Sequence, residues 1–465
     1  MDYRTASMLP PPGLPPQPSP GQTFGAGADR GRALRRARWL RRLELAALGY
    51  IVCISAGVFG FIDILVLGSA YSKTSESLFA QLLWPAAYLL FAGLVLWRWR
   101  ELLGAARRCW WVLPFPALAG LSVLWSMDAD ATTGAAVRMA ATTAIGLYIG
   151  ARFLPAVTAK AVFAVLLAAV GASVLTGAVA LEFAMDGPVV RGLFHHKNTL
   201  GSRAALLAVV SLALALSGWR PALAVAGAVL GAMATVLSSS AAGLALGAIA
   251  LLAAPFALSL RGGSLVLGLR IALVGILTVG VLFALTLWRI DPIAGALAAL
   301  DRDATLTGRV DLWQVAIAQI AQRPLLGAGF DAFWNAGLDW QALALLERLG
   351  SVLHFHNTFL EIAVQLGAVG LVAALPMLAA YVRAALQALR MRVDAVPFWP
   401  SLFGVMALAL ALVENELFVK HNLMHILFVA IPVAVSLQTG RHRAAAVLAQ
   451  DPWRSGPPAV EAQQA

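Results

Sequence analysis

The sequence predicts an all-α, polytopic membrane protein with about 12 transmembrane helices. Hydrophobic residues make up 60% of the 465 residues and charged residues only 12%, whereas soluble chains are about half apolar and about a quarter charged. The mean hydropathy is +0.80. Apolar runs of about 20 residues, the length of a membrane-crossing helix, recur along the chain. These observations exclude a soluble globular enzyme and, for most of the chain, a disordered protein.

The prediction of about 12 transmembrane helices comes from twelve apolar segments. Several are rich in alanine and glycine, which lets helix backbones approach closely in lipid. The segments lie near residues 43–65, 82–97, 110–125, 131–151, 158–180, 198–217, 220–238, 240–259, 267–289, 356–381, 398–418 and 421–439.

The placement of Lys and Arg predicts that both termini are cytoplasmic. With that orientation, most of the 34 basic residues lie in the tails and the even-numbered connections, as the positive-inside rule requires. The net charge of +11 therefore reports topology and attraction to membrane lipid, and no nucleic-acid partner is predicted. Residues 1–42 form a tail that is Pro/Gly-rich and disordered at first and then basic, 43–440 the transmembrane domain, and 441–465 a second cytoplasmic tail.

One long loop, residues 289–355, is predicted on the opposite, non-cytoplasmic side; the family resemblance given below makes this side periplasmic. Its segment TGRVDLWQVAIAQIAQRP has helical spacing and a proline after its end, which predicts an amphipathic helix along the membrane face. The apolar positions are Val310, Trp313, Ile317 and Ile320. Two readings stay open: the helix merely covers the bundle, or it shapes a functional site.

Histidines collect on this same side. Because imidazole titrates near pH 7, a histidine can take a proton from a hydroxyl group. His356 lies where the long loop meets the tenth segment, and Asn357 and Glu361 follow on one helix face. An acid within an apolar segment needs a partner and is a functional candidate. The residues alone do not separate His356 from His354 as the base.

The motifs on this side carry a resemblance to a known family. They are RGLFHHKNTLG after the fifth segment, TLTGRVDLWQ and PLLGAGF in the long loop, HFHNTFLEIAVQLGAVGL opening the tenth segment, and LSVLWSMDAD ending the third. In this order the chain resembles the O-antigen ligase / Wzy-type polymerase superfamily over roughly residues 43–440. It looks most like the branch of bacterial exopolysaccharide polymerases.

This resemblance implies a glycosyltransferase of the bacterial inner membrane that acts on the periplasmic face, without a metal or another cofactor. The implied donor is a glycan on undecaprenyl diphosphate. The implied acceptor is a sugar hydroxyl, either on a second lipid-linked repeat unit, in a polymerase, or on lipid A core, in a ligase. A chain-length regulator and a flippase are the protein partners that such a polymerase would have.

The resemblance also assigns residues. The family's His–Asn pair matches His356, as catalytic base, and Asn357. Its loop residues near the diphosphate match Arg191, Lys197 and Asn198. The basic residue of its TGR segment matches Arg309.

A diphosphate leaving group gains charge as the glycosidic bond breaks, so fixed cations stabilise the transition state more than the ground state. Arg203, about one turn into the next helix, joins Arg191 and Lys197 as a donor-binding candidate. The alternatives are solvated loop charge, or, for Arg203, a side chain that reaches the interface. Arg138 within the fourth segment needs an acidic partner or a phosphate, and Glu414 can pair with these cations or shape the acceptor pocket.

Other functions compete with this prediction. A zinc site made by His195, His196, His354 and His356 has no recognised ligand spacing. An acidic cation site at Glu414, Glu416 and His421 would suit a transporter. A transporter or lipid-glycan flippase would place polar residues at the midplane, and a scaffold would leave the clustered His, Arg and Lys unexplained. The HHKN run favours a polymerase over a ligase without excluding the latter.

Overall fold

The computed structural model describes residues 26–67, 78–187, 189–240, 243, 246, 309–334, 354–390 and 396–449. The chain divides into two compact units, Met1–Ala47 and Leu48–Ala465. In the first unit the described residues are helical from Ala26, so the basic stretch is part of the first helix. The disordered tail predicted for the first residues falls outside the described part.

The described residues are almost entirely helical. The α-helices are α1 (Ala26–Ser55), α2 (Gly60–Leu67), α3 (Leu78–Trp97), α4 (Trp99–Arg108), α5 (Pro114–Leu121), α6 (Ala129–Arg152), α7 (Pro155–Ala178), α8 (Lys197–Leu216), α9 (Pro221–Leu237), α10 (Arg309–Gln322), α11 (Thr358–Arg390), α12 (Phe398–Val413) and α13 (Leu423–Ala449). Short 3-10 turns are Trp110–Val112, Ser122–Leu124 and Glu182–Ala184. The strands β1 (Met185–Asp186) and β2 (Val189–Val190) form an antiparallel hairpin in which Met185 faces Val190 and Asp186 faces Val189.

Four described helices are long and apolar enough to cross a bilayer, and up to six spans result if each of two bent helix pairs counts as one. The four are Pro155–Ala178, Lys197–Leu216, Thr358–Arg390 and the Leu423–Arg441 part of α13. All but two of the predicted apolar segments lie on described helical elements; those near 240–259 and 267–289 fall almost wholly outside. The all-α membrane class is therefore confirmed, whereas the number of 12 spans stays a prediction.

The helices run up and down, so that α6, α8, α11 and α13 all begin at one end, here called the site end. There the backbone N–H of Met127, just before α6, donates to the carbonyl of Ala328 at 2.9 Å. At the opposite end Arg152, which closes α6, forms a 2.9 Å ion pair with Glu101 of α4. The polar loops between these helices therefore meet at one end of the bundle.

Helix α11 is broken near the site end, at Gly367, whose φ of 62° and ψ of −160° are not helical. The break frees backbone carbonyls that would otherwise lack partners in an apolar bundle. The Gly-rich turn 324–329 supplies them: the N–H groups of Ala328 and Gly329 donate to the carbonyls of Val364 and Gln365 at 2.9 and 2.8 Å. The glycines of PLLGAGF thus serve close backbone packing.

Helix α10 confirms the helix predicted in the long loop, but its buried face differs from the predicted one. Leu312 and Ala316 are buried in a core cluster with Phe355, and Trp313 packs against that cluster. Ile317, predicted on the apolar face, is 60% exposed. The shift follows from packing, because the Trp313 indole N–H donates to the Phe355 carbonyl at 3.0 Å and fixes the helix rotation.

Candidate functional site

Three elements meet at the site end. They are the first turn of α11 with the residues before it, the first turns of α8 with the hairpin before them, and the connection between α12 and α13, here called the 414–422 loop. The polar segments in which the sequence predicted a site are therefore neighbours in the fold.

His356 is held by a carboxylate. Its Nδ1 lies 2.8 Å from Oε2 of Glu414, and the His356 side chain keeps 23% exposure. An ionised carboxylate only accepts hydrogen bonds, so Nδ1 carries the hydrogen and Nε2 keeps its lone pair. A neutral imidazole oriented in this way can take a proton at Nε2. The contact with Glu414 supports His356 as the base, and the choice between His356 and His354 stays a prediction.

His354 supports the turn that carries His356. The His356 backbone N–H approaches Nδ1 of His354 at 3.3 Å, and the ring centroids are 4.1 Å apart. Asn357 caps α11, since its Oδ1 accepts the N–H groups of Phe359 and Leu360 at 2.9 and 3.0 Å. These contacts fix the position of His356 from both sides.

Two hydrogen bonds tie the start of α11 to the end of α12. The Asn357 amide donates to the Leu412 carbonyl, and the Thr358 hydroxyl donates to the carbonyl of Glu414, both at 3.0 Å. Glu414 is therefore placed by its backbone as well as by its side chain. The carboxylate–imidazole pair joins two helix ends that are 58 residues apart in sequence.

Glu361 has three donors and is buried. Its oxygens accept from the Phe355 N–H at 3.0 Å, the Trp334 indole at 2.7 Å and the Gln365 amide at 2.8 Å. A buried acid is tolerated because its lone pairs are used in this way. Glu361 thus organises the backbone just before His356, and the Trp334 N–H is committed to it.

Arg203 is committed to an ion pair. It is 5% exposed, and its Nη1 lies 3.2 and 3.1 Å from the two oxygens of Glu416. Its Nε donates to the Ala56 carbonyl at 3.2 Å, and Asn422 donates to Glu416 at 2.8 Å. Glu416 thereby joins α8 to the same loop that holds His356. Because a buried charge needs its partner, this pair stabilises the fold of the site whether or not Arg203 also contacts a ligand.

The loop before α8 is also built from local contacts. Arg191 is 9% exposed, and its Nε donates to the Phe183 carbonyl at 2.9 Å. The Arg191 and Gly192 N–H groups both donate to Ala184 at 2.9 and 3.0 Å, which folds the loop behind the hairpin. Lys197 is half-buried and makes no ion pair with another described residue. Arg191 in this loop and Lys197 at the first position of α8 therefore both lie on a fixed backbone.

The two histidines of the HHKN run have structural partners. His196 caps α8, because its Nδ1 accepts the Asn198 N–H at 3.1 Å. His195 lies 3.4 Å from the buried carboxylate of Asp63. Burial lowers the pKa of His195, an effect that Asp63 opposes and Arg191 reinforces. His195 is therefore neutral near pH 7.

Arg138 lies in α6 with its guanidinium over Gly134, and it is half-buried. Its Nε has no hydrogen-bond partner in the part of the chain that the structure describes. No ion pair joins it to Asp128 or Asp130 there, the acids that precede it in sequence. The Arg309 backbone begins α10, and its side chain falls outside the described residues.

A metal ion is one ligand that the cluster of His354, His356 and Glu414 can accommodate. The ligand atoms of His354, His356 and Glu414 all lie within 4.8 Å of one another, and two histidines with one glutamate form a known zinc ligand set. Among described residues, this grouping replaces the predicted alternative that joined His354 and His356 to His195 and His196. The 2.8 Å contact is equally that of a hydrogen-bonded base and its orienting carboxylate.

Backbone strain concentrates here. Of the seven non-glycine residues with positive φ among those described, four belong to this region: Asp331, His356, Phe418 and His421. Such conformations cost about 1–3 kcal/mol each and cluster at functional sites. No sequence pattern identified these four residues, because histidine, aspartate and phenylalanine adopt negative φ angles far more often than positive ones. Asp63 was missed for a similar reason, since only the fold brings it to His195.

Parts of the chain are similar to a known protein family and to one characterised relative. Residues 226–375 match the O-antigen ligase family, a range that includes α10, the Gly-rich turn, His356 and Glu361. A stretch of 81 residues is 41% identical to "Exopolysaccharide production protein ExoQ" of Rhizobium meliloti (strain 1021). That alignment covers 16% of this chain and 18% of that protein, so the chain matches less than a fifth of the relative's length. The predicted resemblance is confirmed.

Proposed function

We propose that this chain, which resembles the O-antigen ligase / Wzy-type polymerase superfamily, transfers a glycan from undecaprenyl diphosphate to a sugar hydroxyl on the periplasmic face of the bacterial inner membrane. The observation that carries this proposal is the His356–Glu414 contact of 2.8 Å. It supplies a general base at the end of the bundle where the cations Arg191 and Lys197 lie. The product is a longer polysaccharide made of repeat units.

The proposed reaction needs one proton transfer and one displacement. The acceptor hydroxyl loses its proton to Nε2 of His356 while its oxygen bonds to the anomeric carbon of the donor sugar. The bond from that carbon to the diphosphate oxygen breaks, and undecaprenyl diphosphate leaves with the electron pair. Glu414 stabilises the imidazolium that forms, as the orienting carboxylate does in Ser-His-Asp triads.

The leaving diphosphate needs positive charge. We assign Arg191 and Lys197 to direct contact, since Arg191 lies in the fixed loop before α8, Lys197 is the first residue of α8, and positive charge stabilises the developing anion. Arg203 acts indirectly: its ion pair with Glu416 holds the 414–422 loop against α8. Arg309 and Arg138 are further proposed contacts for the diphosphate, with Asn198 in support at the start of α8.

A polymerase is favoured over a ligase by the similarity to an exopolysaccharide production protein. The ligase reaction uses the same donor and the same base, and it differs in the acceptor, lipid A core. A chain-length regulator is the proposed protein partner, as the resemblance implies. The proposed reaction draws on no metal, although the His354–His356–Glu414 cluster can accept one.

The test is a reconstituted transfer reaction. The full-length protein in nanodiscs receives native undecaprenyl-diphosphate repeat units, with EDTA or with Zn²⁺, and the glycans are separated on a gel. A ladder of products in EDTA supports a metal-independent polymerase. Transfer only onto added lipid A core indicates a ligase. Loss of transfer in EDTA with recovery in Zn²⁺ contradicts the proposed chemistry, and movement of the lipid across liposomes without transfer indicates a flippase.

A further inference from the structure

Three side chains of the kinds that bind zinc lie together at the site end. The ligand atoms of His354, His356 and Glu414 are all within 4.8 Å of one another, and Nδ1 of His356 is 2.8 Å from Oε2 of Glu414. Zinc bonds at tetrahedral angles place ligand atoms roughly 3.4 Å apart. Small side-chain rotations are therefore enough to bring all three residues onto one ion.

The backbone that carries these three residues is already fixed. Phe355, which lies between the two histidines, is fully buried. Its N–H donates to Glu361, and its carbonyl accepts the Trp313 indole N–H, both at 3.0 Å. The Glu414 carbonyl accepts the Thr358 hydroxyl at 3.0 Å. A cluster held in this way binds an ion without ordering a loose chain, which favours affinity.

The cluster is open enough for an ion to enter. The His356 and Glu414 side chains keep 23% and 14% exposure, and His354 is half-buried. Three protein ligands leave a fourth tetrahedral position for water, as in other zinc sites made by two histidines and a glutamate. Imidazole nitrogen also selects the ion, because it suits zinc, copper and nickel, whereas magnesium and calcium prefer oxygen ligands.

Metal binding changes which nitrogen of His356 has a lone pair. A neutral imidazole has one N–H and one lone pair, and the contact with Glu414 keeps the hydrogen on Nδ1 and the lone pair on Nε2. The nitrogen that faces Glu414, and hence an ion in the cluster, is Nδ1. An ion bound there takes the Nδ1 lone pair, so the ring hydrogen moves to Nε2. Nε2 then cannot accept the proton of a hydroxyl group.

His354 supplies a ligand that the proposed proton transfer does not use. Its Nδ1 accepts the His356 N–H at 3.3 Å, so this nitrogen carries a lone pair, and the hydrogen bond is long. The two ring centroids are 4.1 Å apart. A change at His354 therefore removes one metal ligand while the His356–Glu414 pair remains.

We propose that His354, His356 and Glu414 form a site for Zn²⁺ and that the bound ion inhibits glycan transfer. The ion blocks His356 through Nδ1 and also occupies the carboxylate that orients its ring. The zinc site is independent of the proposed function, whereas its inhibitory effect rests on that function. The transferase is accordingly active without a metal and is switched off by zinc.

Zinc binding is measured first, in the absence of any glycan. Tag-free, metal-stripped full-length protein in nanodiscs of zwitterionic lipid is titrated with Zn²⁺ by calorimetry. The variants His354→Asn, His356→Asn and Glu414→Gln each lack one ligand. His196→Asn is the matched control: it removes a histidine at the same end, where His196 caps α8, and asparagine is an equally good cap. Thermal unfolding checks that each variant is folded.

We expect the wild type and His196→Asn to bind one tight Zn²⁺ ion per chain. In the three cluster variants the Kd should rise at least about tenfold, since even the loss of a partner outside the ligand shell costs about 10–100-fold in metal affinity. Wild-type affinity in any of the three, or no binding by the wild type, would overturn the site.

The reconstituted transfer reaction then tests inhibition. Saturating Zn²⁺ should slow the wild type and His196→Asn about 10²-fold or more, the typical effect of losing a general base, and EDTA should restore both. His354→Asn should keep its own rate at that Zn²⁺ concentration. Undiminished transfer by the zinc-bound wild type, or equal inhibition of His354→Asn, would overturn the inhibitory role. An inactive His354→Asn protein would also overturn it, because His354 would then serve the reaction itself. Zinc binding that the cluster variants lose, without transfer by any protein, would support the site and refute the proposed function together with the inhibition.

Discussion

At the scale of single residues, the site depends on side chains whose partners are far away in sequence. His356 and Glu414 are 58 residues apart, and Arg203 and Glu416 are 213 apart. Composition predicts that an arginine in an apolar helix needs a partner, but it does not name that partner. The sequence therefore names candidate residues for the chemistry, and only the fold shows that Arg203 is already paired with Glu416.

His195 gives a pH prediction at this scale. Its pKa lies below the usual value in the folded protein because the side chain is buried. The unfolded chain then binds a proton more readily, so stability is full above about pH 6.5 and falls as the pH drops below it. We expect His195→Gln to lose less thermal stability than the wild type between pH 7 and pH 5. Melting curves in detergent test this, and superimposable pH dependences would refute it.

At the scale of elements, most helices were predictable and the break in α11 was not. The bilayer sets a length of about 20 apolar residues, and this constraint identified most of the described helices. The break at Gly367 depends on pairing with the turn 324–329, a contact between segments that no local pattern encodes. Helix α10 was predicted from its helical spacing, but its buried face was not. Tertiary packing buries Leu312 and Ala316 and leaves Ile317 exposed.

The break gives a prediction about stability. Gly367→Ala places a Cβ against the backbone of Leu325 and Leu326, and the backbone strain alone costs roughly 1–3 kcal/mol. We expect a clearly lower melting temperature and lost activity. Gly104→Ala is the matched control: Gly104 is in α4, and a Cβ there meets nothing within 4 Å. That change should be neutral or stabilise by about 0.5–1 kcal/mol. Equal melting temperatures for the two variants would contradict this account of the break.

At the scale of the whole molecule, the polar residues of α8, α11 and the 414–422 loop share one end of the bundle, and the Arg152–Glu101 pair marks the other. The positive-inside rule predicts that the site end is periplasmic, the side on which the proposed lipid-linked donor would be used. The number of spans depends on the segments near 240–259 and 267–289 as well. Sequence alone predicts those two, because their length and apolar character meet the same criterion as the described helices.

Cysteine labelling tests this orientation. With Cys53 and Cys109 replaced by alanine, Gln314→Cys on α10 and Arg107→Cys on α4 each provide one exposed thiol. We expect a membrane-impermeant maleimide added to spheroplasts to label Gln314→Cys at once and Arg107→Cys only after lysis. The reverse pattern would contradict the proposed periplasmic site.

The most direct test of the central claim compares His356→Asn with His354→Asn in the reconstituted transfer reaction. Asparagine suits the His356 backbone, whose φ is 49°, because it tolerates the left-handed region. Loss of a general base typically costs about 10²–10⁴-fold in rate, so we predict that kcat falls by this factor in His356→Asn and by less than tenfold in His354→Asn, with both proteins folded. Wild-type kcat in His356→Asn would contradict the account, and a selective loss in His354→Asn would make His354 the base.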